Sequence, residues 1–287
     1  MAKVKLIQMT QNPIDVMWVS ARTCYSEKSP IEMWNYDRYN QTQEEIDECF
    51  ELKEEWVQER QEKMWKLVKK VLDSGHCSIA EHCYFTFVIE GVSRALLAQI
   101  TRHRAGIVFS VMSQRYVEIK EKYEDIRDLV VSIDPMCEYF DEINCDKDEK
   151  KLIKILEKYF VDVNEDTVIG YGQALMHYLR AIDNDEKPED ARRYLPNATK
   201  TNITMSVNYR ELMHLFNLRS CSRAQREIRD LFKLIKKEVE RVEPRLAEYL
   251  VPSCEAVGFC KEHNCCGRKP KLKDILEKAQ KYDDLKH

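Results

Sequence analysis

Residues 102–116, RHRAGIVFSVMSQRY, combine strong positive charge with a run of apolar residues. Arg102 and Arg104 precede the run, and Arg115 follows it. A lone arginine is usually a solvated surface charge, but three that bracket an apolar segment indicate a local anion site. The guanidinium fork can bind two phosphate oxygens at once, so we expect a phosphate-bearing ligand here.

The apolar run predicts a strand over residues 107–117. In a strand, successive side chains point to opposite sides, so alternate residues share one side. That side carries Phe109, Val111, Ser113, Arg115 and Val117. We therefore expect Ser113 and Arg115 to point the same way, beside apolar neighbours.

Hydrophobic periodicity predicts further elements on both sides of this segment. Capping boxes at Thr42/Glu45 and Ser222/Gln225 mark helix starts, and Gly75 marks a helix end. The predicted strands are residues 3–8 and 83–91. The predicted helices are residues 42–75, 93–101, 149–160, 167–182, 188–196, 208–219 and 222–250. We find no repeat or linker, so we expect one domain.

Composition excludes several classes of protein. The 287 residues carry 46 Lys and Arg against 50 Asp and Glu, and the net charge of −4 argues against a dedicated nucleic-acid binder. No apolar run approaches the ~18 residues of a membrane-spanning helix, and the N-terminus lacks a signal-peptide core. We therefore expect a cytoplasmic protein with no membrane partner, whose eleven cysteines are reduced thiols.

The glycine pattern excludes the common loops that bind nucleotides through backbone N–H groups. The chain has only seven glycines and no G-x-x-x-x-G-K-[ST] motif. Residues 170–175, GYGQAL, begin like a dinucleotide fingerprint but lack its third glycine and a preceding strand. Any phosphates must therefore be bound mainly by side chains.

Five further segments join residues 102–116 in a specific set of motifs. They are ARTCYS (21–26), SGHCSIAEHCYFTF (74–87), LAQITRHR (97–104), ARRYLP (191–196) and NYRELMHLFNLRSCSRAQREI (208–228). Taken in this order, they resemble the flavin-dependent thymidylate synthase family. The resemblance does not extend to the acidic middle, at about 120–165, or to the tail after about 252.

The resemblance implies an enzyme that converts dUMP to dTMP without a protein nucleophile. Methylenetetrahydrofolate would supply the carbon, NADPH would supply hydride, and bound FAD would mediate between them. The implied fold is a single α/β (α+β mixed) domain, with a central mixed sheet packed against long helices. It would cover residues 1–252, followed by a Cys- and Lys-rich extension at 253–287. The implied assembly is a homotetramer with active sites shared between subunits.

The resemblance also implies roles for individual residues, transferred motif by motif. The residues expected to bind FAD are Ser78, Arg102, His103, Arg104, Asn208, Arg210 and His214. The residues expected to bind dUMP are Gln99, Arg102, Val111, Ser113, Gln114, Arg115, Arg192 and Arg219. His76 is expected on the folate or flavin side. Val111 stands where many members carry an acidic residue.

Arg219 is the expected catalytic residue. Methylation at C5 of uracil requires an electron-rich carbon, and negative charge then develops at N3 and O4. A fixed cation beside the ring lowers that barrier. Arginine can serve because it stays charged at any working pH.

Other readings of the reactive residues carry less weight. His76, Glu81 and His82 lack the spacing of the zinc-protease helix motifs. The better metal candidates are the tail cysteines, Cys254, Cys260, Cys265 and Cys266. They contain no C-x-x-C, so we predict no metal and expect simple thiols.

Two functional alternatives remain. A nucleophilic cysteine would be Cys24, Cys77 or Cys221, but none has a setting that clearly lowers its pKa, and a packing role is favoured. An RNA- or nucleotide-binding module would use the same arginines. It would predict strong salt dependence of binding and a colourless protein, whereas the enzyme would be yellow.

Overall fold

The computed structural model describes residues 2–39, 52–116 and 165–284. Its strands form one four-stranded sheet in the order β1-β2-β4-β3. They are β1 (Lys3–Met9), β2 (Tyr84–Ser93), β3 (Ile107–Val111) and β4 (Lys200–Asn208). Each neighbouring pair is antiparallel. The expected α/β class is confirmed, but these described strands make an antiparallel sheet rather than a mixed one.

Helices cover this sheet and flank its ends. They are α1 (Pro13–Thr23), α2 (Pro30–Tyr39), α3 (Leu52–Asp73), α4 (Arg94–Ile100), α5 (Glu165–Asp183), α6 (Pro188–Ala191), α7 (Tyr209–Arg219), α8 (Arg226–Val242), α9 (Pro244–Ala247), α10 (Ser253–Val257) and α11 (Leu272–Asp284). Short 3-10 helices span Cys77–His82 and Arg192–Tyr194. In the described ranges no helix is long and apolar enough to cross a membrane.

The core lies between one face of the sheet and the long helices. Alternate residues of β2 and β4 are buried there, among them Phe85, Phe87 and Met205. From the helices, Phe216 and Phe232 meet edge to face with their ring centroids 4.9 Å apart. This packing holds α7 and α8 against the sheet, and α7 carries much of the site described below.

The strand that begins after Gly106 is shorter than its apolar pattern predicts. The alternation is confirmed as far as Val111, where β3 ends. Met112 adds one more backbone hydrogen bond, to the carbonyl of Asn202 at 2.9 Å. The Ser113 hydroxyl then accepts from the N–H of Arg115 at 3.1 Å, which turns the chain out of the sheet. Ser113 and Arg115 therefore lie beyond the strand.

The central strand β4 is absent from the predicted elements. It pairs with both β2 and β3, with Val207 opposite Phe85 on one side and Ile107 on the other. Polar residues fill its alternate positions, so its sequence KTNITMSVN carries a weak apolar signal. Its pairing partners, rather than its own hydrophobicity, define it as a strand.

Two predicted helix boundaries are wrong. The long helix to Leu250 stops at Val242, because Pro244 cannot donate to the preceding turn, and α9 follows separately. Ser222 does not cap α8, whose N-cap is Gln225 and has no side-chain cap bond. The Thr42/Glu45 capping box and the helix at 149–160 lie outside the described residues. The division of the chain at residue 252 stays a prediction.

Candidate active site

The Arg102–Arg104 loop is anchored to the start of α7 through Gly106 and Asn208. The Asn208 N–H donates to the Gly106 carbonyl at 2.8 Å. Gly106 has φ +66, and a Cβ built on it would lie 2.1 Å from Asn208 Nδ2. The Asn208 side chain in turn caps α7, since its Oδ1 accepts from the N–H of Glu211 at 2.8 Å. Glycine is therefore needed for both the backbone angle and the close approach.

His103 connects Glu211 to Arg219. Its Nδ1 lies 3.1 Å from Glu211 Oε1, and Arg219 Nη2 lies 3.1 Å from its Nε2. Arginine can only donate, so Nε2 is the acceptor and Nδ1 carries the ring proton toward the carboxylate. The three side chains thus form a hydrogen-bonded series in which the neutral imidazole orients the guanidinium.

The neutral form of His103 is favoured by its surroundings. Its side chain is only 8% exposed. The pKa of His103 is lowered mainly by burial and then by the positive charge of Arg219. Glu211 acts in the opposite direction without reversing the shift. The imidazole therefore stays uncharged near neutral pH and remains able to accept from Arg219.

His103, Glu211 and His214 lie close enough together to suggest a cation site. Their ligand atoms are all within 4.8 Å of one another. Both ring nitrogens of His103 are already engaged, however, one by Glu211 and one by Arg219. A cation bound to Nε2 would have to displace the guanidinium, so we assign this group to orientation of Arg219 and not to metal binding.

Arg219 is also tied to the end of α4. Its Nη2 donates to the backbone carbonyl of Gln99 at 3.3 Å. The Gln99 side chain in turn donates to the side-chain oxygen of Gln225, just before α8. A planar guanidinium with anchors on His103 and Gln99 has a fixed plane. It can present its remaining N–H groups to a ligand in one orientation.

The other cations of this end of the sheet are exposed. Within the described part of the chain, neither Arg102 nor Arg104 forms an ion pair. Arg210 is paired with Glu81, which lies on the 3-10 helix Cys77–His82. His76 and Ser78 are exposed at the start of the same 3-10 helix. We name the residues from Gln99 to Arg104 together with Asn208, Arg210, Glu211, His214 and Arg219 the first group.

A second group lies beyond the other end of β3. Gln114 is buried there, whereas Ser113 is half-buried and Arg115 is exposed. Arg115 is held by Glu189, with Nε and Nη2 both 2.9 Å from Oε2. Arg192 donates its Nε–H to the backbone carbonyl of Glu189 at 3.0 Å. The second group comprises Val111, Ser113, Gln114, Arg115, Glu189 and Arg192.

Arg94 adds a cation to the second group. It donates to the carbonyl of Met112 at 3.4 Å. The pKa of Arg94 is lowered by burial and by the nearby charge of Arg192. Neighbouring cations such as these mark a surface that favours an anion. Of the three arginines in the anion site expected from the sequence, only Arg115 lies in this cluster, so that site stays a prediction.

The two groups stand at opposite ends of one strand. β3 spans Ile107–Val111, so about 13 Å separates the loop before it from the turn after it. Sequence reasoning placed Gln99 and Arg219 with Ser113 and Arg115 in one dUMP site. Within one chain, the structure divides these residues between the two groups.

Four residues in or next to these groups were not predicted from the sequence to be site residues. Glu189 and Arg94 lie in matched or neighbouring segments but have no distinctive spacing. Glu211 likewise has no distinctive spacing, and Gln225 was considered only as part of a helix-capping box. Their partners, His103 and Gln99, are 108 and 126 residues away, so no local pattern could reveal them.

Comparison with known proteins identifies the family of this chain. The family model described as "Thymidylate synthase complementing protein" matches residues 5–245. The flavin-dependent thymidylate synthase of Clostridium tetani is 33% identical over 95% of this chain and 96% of its own length. That of Sulfurisphaera tokodaii is 32% identical over 88% of this chain and 78% of its own length. The chain belongs to the flavin-dependent thymidylate synthase family.

Solved structures agree with that family and with its fold. A flavin-dependent thymidylate synthase from Helicobacter pylori, complexed with FAD and dUMP, is 25% identical. It aligns with a TM-score of 0.54 over 87% of this chain and 99% of its own. A UMP/dUMP methylase from Streptomyces cacaoi shares the fold at 19% identity and a TM-score of 0.55. The family resemblance expected from the motifs is confirmed.

Proposed function

We propose that this family member converts dUMP to dTMP, with methylenetetrahydrofolate as carbon donor and NADPH as reductant through FAD. The enzyme is an FAD-dependent thymidylate synthase. One observation of the structure carries the proposal beyond family membership. Arg219 is fixed by a neutral histidine and a backbone carbonyl, beside two exposed arginines that form no ion pair in the described ranges.

The first group fits FAD by its donors. Arg102 and Arg104 offer free guanidinium groups to a diphosphate, which binds arginine in paired hydrogen bonds. The residues we assign to FAD are Ser78, Arg102, His103, Arg104, Asn208, Arg210 and His214, with His76 on the folate or flavin side. When bound, FAD supplies the hydride chemistry. These residues bind and orient it.

The residues we assign to dUMP come from both groups. They are Gln99, Arg102, Val111, Ser113, Gln114, Arg115, Arg192 and Arg219. Arg115 and Arg192 converge on Glu189 and offer two cations to the monophosphate. Ser113 offers a hydroxyl next to them. Val111 has no acidic side chain, so any hydrogen bond from residue 111 comes from its backbone.

Arg219 is the residue we assign to catalysis. Its guanidinium meets the uracil ring where negative charge develops at N3 and O4 as C5 becomes nucleophilic. The donors are oriented before the reaction by His103 and Gln99, so little reorganisation is needed as the charge appears. The ring is activated without attack by a protein thiol. Burial raises the pKa of the Cys83 thiol to about 12, which makes that cysteine unreactive.

We further propose that the enzyme is a homotetramer whose sites combine residues of different subunits. The dUMP residues of one chain lie at both ends of β3, about 13 Å apart. We therefore propose that each dUMP contacts the first group of one subunit and the second group of another. Light scattering of the FAD-loaded protein should give a mass of about four chains. A monomer with full activity would contradict shared sites.

The decisive experiment measures dTMP formation in single turnover with pre-reduced flavin. The wild type should form dTMP and appear yellow when purified. Ser113→Ala should bind dUMP more weakly yet still form product, and Cys24→Ala and Cys77→Ala should remain active. Complete loss of chemistry in one of these variants, with FAD and dUMP still bound, would refute the absence of a protein nucleophile. A colourless protein with salt-dependent RNA binding would favour the nucleic-acid alternative.

A further inference from the structure

Four cysteine side chains line one cleft next to the catalytic domain's last helices. The cleft has a volume of about 230 Å³, and its thiols are Cys221, Cys254, Cys260 and Cys266. All four are free. Cys221 follows α7, whereas the other three belong to the tail that the sequence analysis left without a function. The tail cysteines contain no C-x-x-C motif, but the fold brings Cys221, which precedes the tail in the sequence, into the same cleft.

The tail loop that carries two of these thiols is closed and anchored. The Cys260 N–H donates to the carbonyl of Pro270 at 2.8 Å, which closes the loop at its base. Lys271 Nζ donates to the carbonyl of His263 at 2.7 Å. Arg223 attaches the loop to the segment after α7, donating to the carbonyl of Asn264 at 3.4 Å. Cys260 and Cys266 are thereby kept opposite Cys221.

Hydrogen-bond donors lie next to two of the sulfur atoms in this loop. The Gly267 N–H points at Cys265 Sγ, with nitrogen and sulfur 3.3 Å apart. Ser222 and Arg268 line the cleft together with Cys266, and their hydroxyl and backbone N–H groups can donate hydrogen bonds to its sulfur. Thiolates are the form of cysteine that binds metals, and second-layer hydrogen bonds to them are typical of metal sites.

The geometry points to a structural Zn²⁺ site whose ligands are Cys221, Cys254, Cys260 and Cys266. A set of four thiolate ligands suits a soft tetrahedral metal. Cys265 is not a ligand in this arrangement, because its thiol donates to the Lys269 carbonyl at 3.1 Å and does not line the cleft. Arg223, Lys261 and Arg268 line the same cleft, as does Glu262, which is paired with Arg223 at 3.5 Å. Arg268 is paired with Glu255 at 3.2 Å, and Lys261 adds a further positive charge near the four sulfur atoms.

Binding would require the thiols to draw together. No three of these sulfur atoms lie within 4.8 Å of one another. Zinc bonds of about 2.3 Å place tetrahedral sulfur ligands about 3.8 Å apart. Side-chain rotation provides movement of this size for Cys221, Cys254 and Cys266, which are not fully buried. The ion would then join the tail to the end of α7, two residues after Arg219.

The test is the zinc content of the protein, measured by plasma mass spectrometry after purification without chelators. The wild type should contain about one zinc per chain. Cys266→Ser and Cys254→Ser should bind Zn²⁺ at least tenfold more weakly in competition with a chelator dye. Cys24→Ser removes an exposed thiol far from the cleft in sequence and should keep the zinc. Circular dichroism confirms that each variant is folded.

Removal of zinc provides a second measurement that does not depend on flavin or activity. Zinc removal should lower the melting temperature of the wild type and of Cys24→Ser, but not that of Cys266→Ser. Four results would overturn the proposal. They are a protein that takes up no zinc at micromolar concentration, equal zinc loss in Cys24→Ser and Cys266→Ser, iron in place of zinc, and a Cys260–Cys265 disulfide in the purified chain.

Discussion

Arg219 donates to Nε2 of His103 across 3.1 Å, although 116 residues separate them in the chain. The contact makes the histidine of the Arg-His-Arg motif an orienting residue for Arg219, the cation that we propose for catalysis. Glu211 completes the arrangement from the opposite ring nitrogen. The motif therefore has two uses in this structure. Its arginines are exposed and available to a ligand, whereas its histidine is largely buried against Arg219.

Replacing Arg219 by lysine should reduce turnover more than dUMP affinity. Lysine keeps the positive charge but cannot bond to His103 and Gln99 while also facing the uracil ring. Loss of an oriented donor costs about 2.7–4 kcal/mol in the transition state, or two to three decades in rate. Single-turnover dTMP formation and equilibrium dUMP binding measure the two effects.

Arg226→Lys is the matched control for that experiment. Arg226 is an exposed arginine at the start of α8, 3.8 Å from Asp230. Its substitution should leave both quantities within a factor of two. Normal turnover in Arg219→Lys, or equal losses in the two variants, would remove Arg219 from the catalytic role.

Protonation of His103 in acid should lower both the free energy of unfolding and the rate of dTMP formation. The pKa of His103 in the fold is below its ordinary value of 6.5, mainly because of burial and then because of Arg219. Between the two values the unfolded chain binds more protons than the folded one. Stability is therefore complete above about pH 6.5 and falls as the pH drops toward the folded pKa. The slope of this loss is at most about 1.36 kcal/mol per pH unit.

Two variants test the assignment of this acid dependence to His103. In His103→Asn the contribution should vanish, so the urea midpoint should vary less between pH 7 and pH 5. In Glu211→Gln the folded pKa should fall further, because the carboxylate charge raises it. The acid limb of dTMP formation should then move to lower pH. A limb that moves upward, or stays in place in both variants, would contradict the proposed tautomer.

The sequence predicted the periodic parts of the fold and little of the contacts between them. Strand β2 and helix α7 have strong apolar periods, and both lie where expected. Strand β4 was missed because its stability comes from pairing with β2 and β3. The Arg-His-Arg motif predicts the arginines of the site. The contact between Glu211 and His103 depends instead on the packing of α7 against the loop that carries this motif. A local pattern cannot encode such a contact.

Gly106 should be far less tolerant of alanine than Gly75. Both glycines have positive φ, +66 and +81, so both substitutions carry the left-handed strain of about 1–2 kcal/mol. Only at Gly106 does the new Cβ meet another residue, because it would lie 2.1 Å from Asn208 Nδ2. Displacing Asn208 also removes the cap of α7, which adds about 0.5–2 kcal/mol.

Urea unfolding compares the two glycine variants directly. Gly106→Ala should lose more stability than Gly75→Ala, and it should also retain less flavin. Equal losses in stability would show that Asn208 moves aside freely and that the contact has no role in positioning the loop.

Removing either exposed arginine of the Arg-His-Arg motif should bleach the purified protein. Neither Arg102 nor Arg104 forms an ion pair in the described residues, so each guanidinium is free to serve the FAD diphosphate. A charge-assisted hydrogen bond contributes about 1.5–3 kcal/mol, so Arg102→Ala and Arg104→Ala should weaken FAD binding about tenfold to a hundredfold. Flavin absorbance per chain and titration of the flavin-free protein measure the loss.

The same titration should rank three further variants. Arg210→Ala should weaken FAD binding less than Arg104→Ala, because Arg210 already shares its charge with Glu81. Glu81→Gln should then tighten FAD binding, since it releases Arg210 for the ligand. Arg241→Ala removes a surface arginine, 3.4 Å from Glu238, and should leave the flavin content unchanged. Unchanged flavin in both Arg102→Ala and Arg104→Ala, or an equal loss in Arg241→Ala, would reject the diphosphate assignment.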